Sequence, residues 1–195
     1  MTETALWIAA YVIAYLAGTF PSAQIVARAA GINITEVGSG NPGASNVTRA
    51  LGWRKGIVVF ALDAAKGVVG AGLGYAAGGR GGAYLCGAAA ILGHVFPITR
   101  GLRGGKGVAT AAGTLMVLHP LLVPVVIGIW WVVSRLTGTA AIGSLLAVAA
   151  APVGLAITGA PGWEFAATIG ICALIFIRHA SNLQRLFQRR EHRIT

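Results

Sequence analysis

Acidic residues are nearly absent. The chain has five Asp and Glu in 195 positions, and charged residues of either sign make up only 10%. A soluble domain carries about a quarter, so an ordinary water-soluble globular domain is excluded. Cysteine is scarce too. Cys86 and Cys172 stand in different apolar blocks with no CxxC spacing, which argues against a disulfide framework or a cysteine-based metal site. Both read as small core residues, and no metal or cofactor is expected. The GxSxG nucleophile elbow is missing, because Val37 and Asn41 stand where its glycines would flank Ser39. A basic region ahead of the first apolar block is missing as well. That block is therefore expected to be a retained span and not a cleaved signal peptide. The apolar blocks do not alternate with polar residues, which argues against a barrel.

What is present is apolar length. Hydrophobic residues make up 56% of the chain, mean hydropathy is +0.76, and there are 29 glycines. Apolar blocks run over 5–27, 56–78, 83–99, 108–133, 138–160 and 162–177, with His119-Pro120 interrupting the fourth. Within lipid, backbone groups must be satisfied internally, so blocks without barrel alternation predict helices. The expected architecture is all-α: a single polytopic membrane domain, 1–195, built as a helical bundle. The count turns on whether 108–133 is one kinked helix or two. With seven spans and the N-terminus outside, all of the 15 Lys and Arg residues except Arg80 and Lys66 fall on the cytoplasmic side. The bias of Lys and Arg toward that side favours seven, with a cytoplasmic C-terminus. It also accounts for most of the net charge of +10 without a nucleic-acid partner. Membrane lipid is an expected partner, and nothing points to an obligate protein partner.

This topology gathers three polar segments on one face. The first, "EVGSGNPGASNVTRALG" at 36–52, sets Ser39, Asn41, Ser45, Asn46 and Arg49 among Gly38, Gly40 and Gly43. Glycines let backbone N–H groups form concave anion sites, and an Arg fork suits phosphate. The second, "RGLRGGKG" at 100–107, surrounds Lys106 with Gly104, Gly105 and Gly107. It is not a Walker A loop, since Arg100 and Gly107 stand where Gly and Ser or Thr are required. A lysine among glycines at a helix start still suits a phosphate, although it equally suits a membrane anchor. The third, "RHASN", carries His179 and Asn182 at the end of the last apolar block. Asp63 and Lys66 are three apart and can pair on one helix face, as a salt bridge supporting the loops. His94 and His119 read as packing or interfacial residues.

"VGSGNPGASNVTR", "GHVFP…RGGKGVAT" and "RH..N" resemble the acyl-phosphate-dependent glycerol 3-phosphate acyltransferases of bacteria, over essentially the whole chain. The usual Glu ahead of the final Asn is replaced by Ser181. The resemblance implies a seven-span enzyme of the bacterial inner membrane. It would transfer an acyl group from acyl-phosphate to glycerol 3-phosphate, giving lysophosphatidic acid and phosphate for phospholipid synthesis. It implies an active site facing the cytoplasm, with Ser39, Asn41, Lys106 and His179 in catalysis. Gly40, Gly43, Ser45, Asn46, Arg49, Gly104, Gly105, Gly107 and Asn182 would hold substrate phosphate.

Acyl-phosphate is a mixed anhydride whose leaving group is already good, so positioning and anion stabilisation can supply much of the rate. The rival reading is a transporter of small phosphorylated anions. Such a protein places its site near the midplane, often between internal repeats. Here no convincing repeat is seen and the donors cluster on one face.

Overall fold

A computed structural model describes residues 3–194, and the regular secondary structure among them is all helical. The helices are α1 (Glu3–Gly18), α2 (Ser22–Arg28), α3 (Ala44–Leu51), α4 (Trp53–Val95), α5 (Val108–Leu118), α6 (Val123–Thr137), α7 (Ala140–Ile157), α8 (Gly162–Arg178) and α9 (Ala180–Phe187). Short 3-10 turns cover Ile98–Arg100 and Pro120–Leu122. The chain divides into two compact units, one ending at Pro120 and the other beginning at Leu121.

In the first unit, the block expected over 5–27 is broken. Thr19 turns its hydroxyl onto the Leu16 carbonyl at 2.7 Å, and Pro21 precedes the new start at Ser22. The 43 residues of α4 are not one rod. Gly78 (φ −165°, ψ 35°) and Gly79 (φ 61°, ψ −148°) leave the helical region, and Gly79 adopts a backbone that a side chain would strain. The two arms fold back on each other. A side chain at Gly74 would run into the Gly82 carbonyl, and one at Gly82 into that of Gly74, while Gly70 lies against Cys86 and Ala90. α4 is thus a helical hairpin, with the turn at the Gly-rich junction between the second and third apolar blocks. α1 packs on its second arm through Gly18 against Ala90 and Gly93 against Tyr15. α5 packs on its first arm through Gly113 against Ala64. Close backbone approach of this kind is how small residues hold helices together in lipid.

The fourth apolar block is also broken. α5 ends at Leu118, His119 leaves helical geometry (φ −142°, ψ 66°), and α6 starts at Val123. Here His119 contacts other residues: its Nε2 lies 3.0 Å from the Tyr84 hydroxyl and 3.2 Å from Arg80. In the second unit, the Trp130 indole donates to the Ser144 hydroxyl at 3.1 Å, tying α6 to α7. The Cys172 thiol donates to the Val148 carbonyl at 3.4 Å, tying α8 to α7.

Four helical stretches are long and apolar enough to cross a membrane: Thr4–Arg28, Trp53–Arg100, Pro120–Thr137 and Ala140–Ile157. A fifth is added if α8 and α9, bent by 53°, count as one. Large apolar side chains such as Ile57, Trp131, Leu146 and Ile157 point outward from these stretches, as suits a lipid-facing surface.

Candidate active site

The first polar segment is a tight loop that feeds α3. Gly38 and Gly40 have φ of 61° and 67°, and a side chain at Gly38 would strike the Asn46 amide. Asn46 is fully buried at the centre of this loop. Its Nδ2 donates to the carbonyls of Ile34 (3.2 Å) and Val37 (2.9 Å). Its Oδ1 accepts from the Ser39 amide (3.1 Å) and from Arg49 (3.2 Å). Two N–H donors and two lone pairs are all that a side-chain amide offers. All four are used within the loop, so Asn46 shapes it from the centre.

Arg49 lies one turn beyond Asn46 on α3. Its guanidinium also donates to Ser39 Oγ at 3.2 Å, and the Asn41 backbone N–H donates to the same oxygen at 3.4 Å. Both groups touching this hydroxyl are donors, and one is cationic. Neither can take its proton, so the hydroxyl is set up to donate outward. Ser45 is half-buried in the first turn of α3, just after Gly43. The Gly43 amide donates to the Asn41 carbonyl at 2.9 Å.

The second loop covers the end of the hairpin's second arm. The Gly104 and Gly105 amides donate to the carbonyls of Val95 (3.2 Å) and His94 (3.1 Å), capping the helix end. A side chain at Gly104 would strike the His94 carbonyl, and one at Gly105 the His94 imidazole. Beneath the loop lies a buried polar cluster. Lys66 Nζ donates to Asp63 Oδ1 at 2.7 Å, and His94 Nδ1 stands 3.5 Å from Lys66 Nζ and 3.6 Å from Asp63 Oδ1. Arg100 ties the loop to the α1–α2 turn by donating to Gln24 Oε1 (3.0 Å) and the Thr19 carbonyl (3.1 Å). Lys106 is half-buried beside Gly107, whose φ of 89° starts α5. Because α4 is a hairpin, α3 at its beginning and this loop at its end lie at the same end of the first unit.

In the second unit, His179 is buried at the bend between α8 and α9. Its Nδ1 lies 2.8 Å from the Ile175 carbonyl. A carbonyl only accepts, so Nδ1 carries the proton, and in the neutral ring Nε2 is the acceptor. Asn182, also buried, donates through Nδ2 to Glu191 Oε1 at 2.9 Å.

Residues 8–189 match the family model described as glycerol-3-phosphate acyltransferase. The chain belongs to this family. It is 37% identical over 184 residues to the glycerol-3-phosphate acyltransferase of Aquifex aeolicus, covering 93% of this chain and 96% of that one. It is 41% identical over 186 residues to the Thermus thermophilus acyltransferase, covering 93% and 92%. Two crystal structures of PlsY, an integral membrane glycerol 3-phosphate acyltransferase, superpose with TM-scores of 0.90 and 0.89 at 35% identity. Each covers 96% of this chain and 94% of the PlsY chain; one is the glycerol 3-phosphate form and the other the lysophosphatidic acid form.

Within this acyltransferase, Ser39, Asn41 and Arg49 come together as one group. The glycines at 104, 105 and 107 shape a second loop at the same end. The part played by His94 was missed. Its signal was its position nine residues before Arg103-Gly104-Gly105, which lets the chain turn back over it. Glu191 was missed too, because nothing in its local sequence announces a partner nine residues earlier.

Proposed function

We propose that this acyltransferase moves a fatty acyl group from acyl-phosphate to glycerol 3-phosphate, releasing 1-acyl-glycerol 3-phosphate and inorganic phosphate. The observation that carries this reading is the Arg49–Ser39 contact in a glycine-rich loop at the start of α3. It joins a cation, a hydroxyl donor and helix N–H groups, the donor set that suits a phosphate or a developing oxyanion.

The acceptor hydroxyl of glycerol 3-phosphate attacks the acyl carbon. The ester C–O bond forms, the bond to the phosphate oxygen breaks, and the hydroxyl proton passes to a substrate phosphate. Ser39 and Asn41 steady oxygen atoms during this direct transfer. Arg49 and Lys106 offset the phosphate charge, with Ser45 and the glycines at 40, 43, 104, 105 and 107 bringing backbone close. His179 and Asn182 orient the acceptor. The family match across both compact units supports a single catalytic domain, 1–195.

In this reading the chain crosses a bacterial inner membrane seven times. The crossings are α1–α2, the two arms of α4, α5, α6, α7 and α8, with the N-terminus outside and the loops facing the cytoplasm. The hairpin at Gly78–Gly79 and the break at His119 support the count, and the Lys and Arg distribution supports the orientation.

The test uses purified full-length protein in detergent with radiolabelled glycerol 3-phosphate and palmitoyl-phosphate. Labelled lysophosphatidate is expected. Its absence, with uptake of the label into reconstituted vesicles, would replace the enzyme by a transporter.

A further inference from the structure

The C-terminal tail is folded back onto the second unit by several independent contacts. α9 closes with the Arg189 amide donating to the Leu186 carbonyl (3.0 Å) and the Arg190 amide to the Arg185 carbonyl (2.8 Å). This double closure requires a left-handed residue, commonly glycine, and here Arg189 fills it at φ 54°. A bulky residue held there is strained. The turn swings Glu191 back against α9. Its side chain is only 5% exposed, with Oε1 accepting from Asn182 (2.9 Å) and Oε2 from Arg185 (3.0 Å). Beyond it, the Ile194 amide donates to the Gly138 carbonyl at 2.8 Å, and the Ile194 side chain is buried. The Arg193 guanidinium lies against Gly138.

An ionised carboxylate can only accept hydrogen bonds. It therefore fixes which end of the Asn182 amide faces it: the NH2 group turns to Glu191 and the carbonyl oxygen turns the other way. We propose that Glu191 is a positioning residue for acyl transfer, holding the Asn182 amide in one orientation from a C-terminal strap. This rests on the reading of Asn182 as a group that orients the acceptor. The paired contact with Arg185 locks the carboxylate, and the strap from Arg189 to Ile194 locks the chain that carries it. Without Glu191 the amide can flip, and a fraction of enzyme molecules presents the wrong end to glycerol 3-phosphate.

The experiment compares wild type, Glu191→Ala, Glu191→Gln, Asn182→Ala and the double variant Asn182→Ala/Glu191→Ala. All are full-length, purified in detergent and assayed for lysophosphatidate while glycerol 3-phosphate and acyl-phosphate are varied separately. Glu191→Ala is expected to lower kcat/KM for glycerol 3-phosphate about tenfold, the size of one lost charge-assisted hydrogen bond, with KM for acyl-phosphate unchanged. The double variant should be no worse than Asn182→Ala alone, because Glu191 acts through Asn182. Additive losses, equal losses for both substrates, or wild-type kinetics in Glu191→Ala would each overturn the proposal. If Glu191→Ala does not fold, the isosteric Glu191→Gln decides. A folded, selectively impaired enzyme supports positioning, whereas loss of thermal stability with unchanged kinetics makes the strap merely structural and refutes it, as does failure of this variant to fold. An inactive wild type would refute the acyltransferase reading itself, which is a separate outcome.

Discussion

The Arg49 guanidinium reaches Ser39 Oγ at 3.2 Å and Asn46 Oδ1 at the same distance. One cation thus fastens a mobile kind of side chain, the serine hydroxyl, to an immobile one, the buried amide. Ser39→Ala and Arg49→Ala should each lower activity roughly tenfold to a hundredfold, as expected for loss of about 1.5–3 kcal/mol of charge-assisted bonding. Because the two touch, the double variant should lose less than the sum. Turnover measured at subsaturating substrate checks this, and near-wild-type rates for both single variants would refute it.

Direct transfer makes a second prediction. Both neighbours of the Ser39 hydroxyl are donors, whereas a nucleophilic serine needs an adjacent base. Wild type incubated with labelled acyl-phosphate and no acceptor should yield no stable labelled protein. A mass-spectrometric acyl adduct on Ser39 that chases into product would establish a two-step route instead.

Asn46→Ala should behave differently from Ser39→Ala. It removes four hydrogen bonds from a fully buried site, takes the Asn46 donor from the buried Ile34 carbonyl, and leaves the Val37 carbonyl with the Gly40 amide. Unpaired buried groups cost about 1–3 kcal/mol each. The expected result is a lower midpoint of thermal unfolding together with lost activity, read by monitoring aggregation on heating in detergent. An unchanged midpoint would mean that the amide is not a structural pin.

Gly105→Ala should impair the second loop, since the added methyl would strike the His94 imidazole. His94→Ala opens that space, so the pair should recover part of the loss seen in Gly105→Ala alone. Comparing KM for glycerol 3-phosphate across the two single variants and the double one checks this. Full additivity would show that the two residues do not share the space.

Much of this was legible from composition and spacing, and what was not has a physical explanation. The apolar blocks show as helices because lipid permits little else. The Gly78–Gly79 turn was visible as a glycine cluster, and the Asp63–Lys66 pair as a three-residue spacing. Yet α3 was hidden inside a segment that read as loop. Its helix forms because Val47 and Thr48 are buried against the start of α4 while Gly43 opens it, a tertiary effect overriding weak local propensity. Asn46 and Arg49 looked alike as donor-bearing residues. Only burial separates the amide that builds the loop from the cation that reaches its serine. His94 looked solitary because its partners lie 28 and 31 residues away along the other arm of a hairpin.

The Asp63–Lys66 pair also bears on how the protein is made. The two residues share one turn of one helix, with the ammonium 2.7 Å from the carboxylate. Each charge alone would add about 2.5–3.5 kcal/mol to the entry of its segment into the bilayer. Paired within three residues, they cancel before the second arm of the hairpin has left the ribosome. The first arm of the hairpin therefore carries its own neutralisation during translocon partitioning and need not wait for His94 to arrive. Lys66→Ala would strand the aspartate, and the isolated 53–77 segment carrying it is expected to insert less efficiently than the native segment in a cell-free translocation assay.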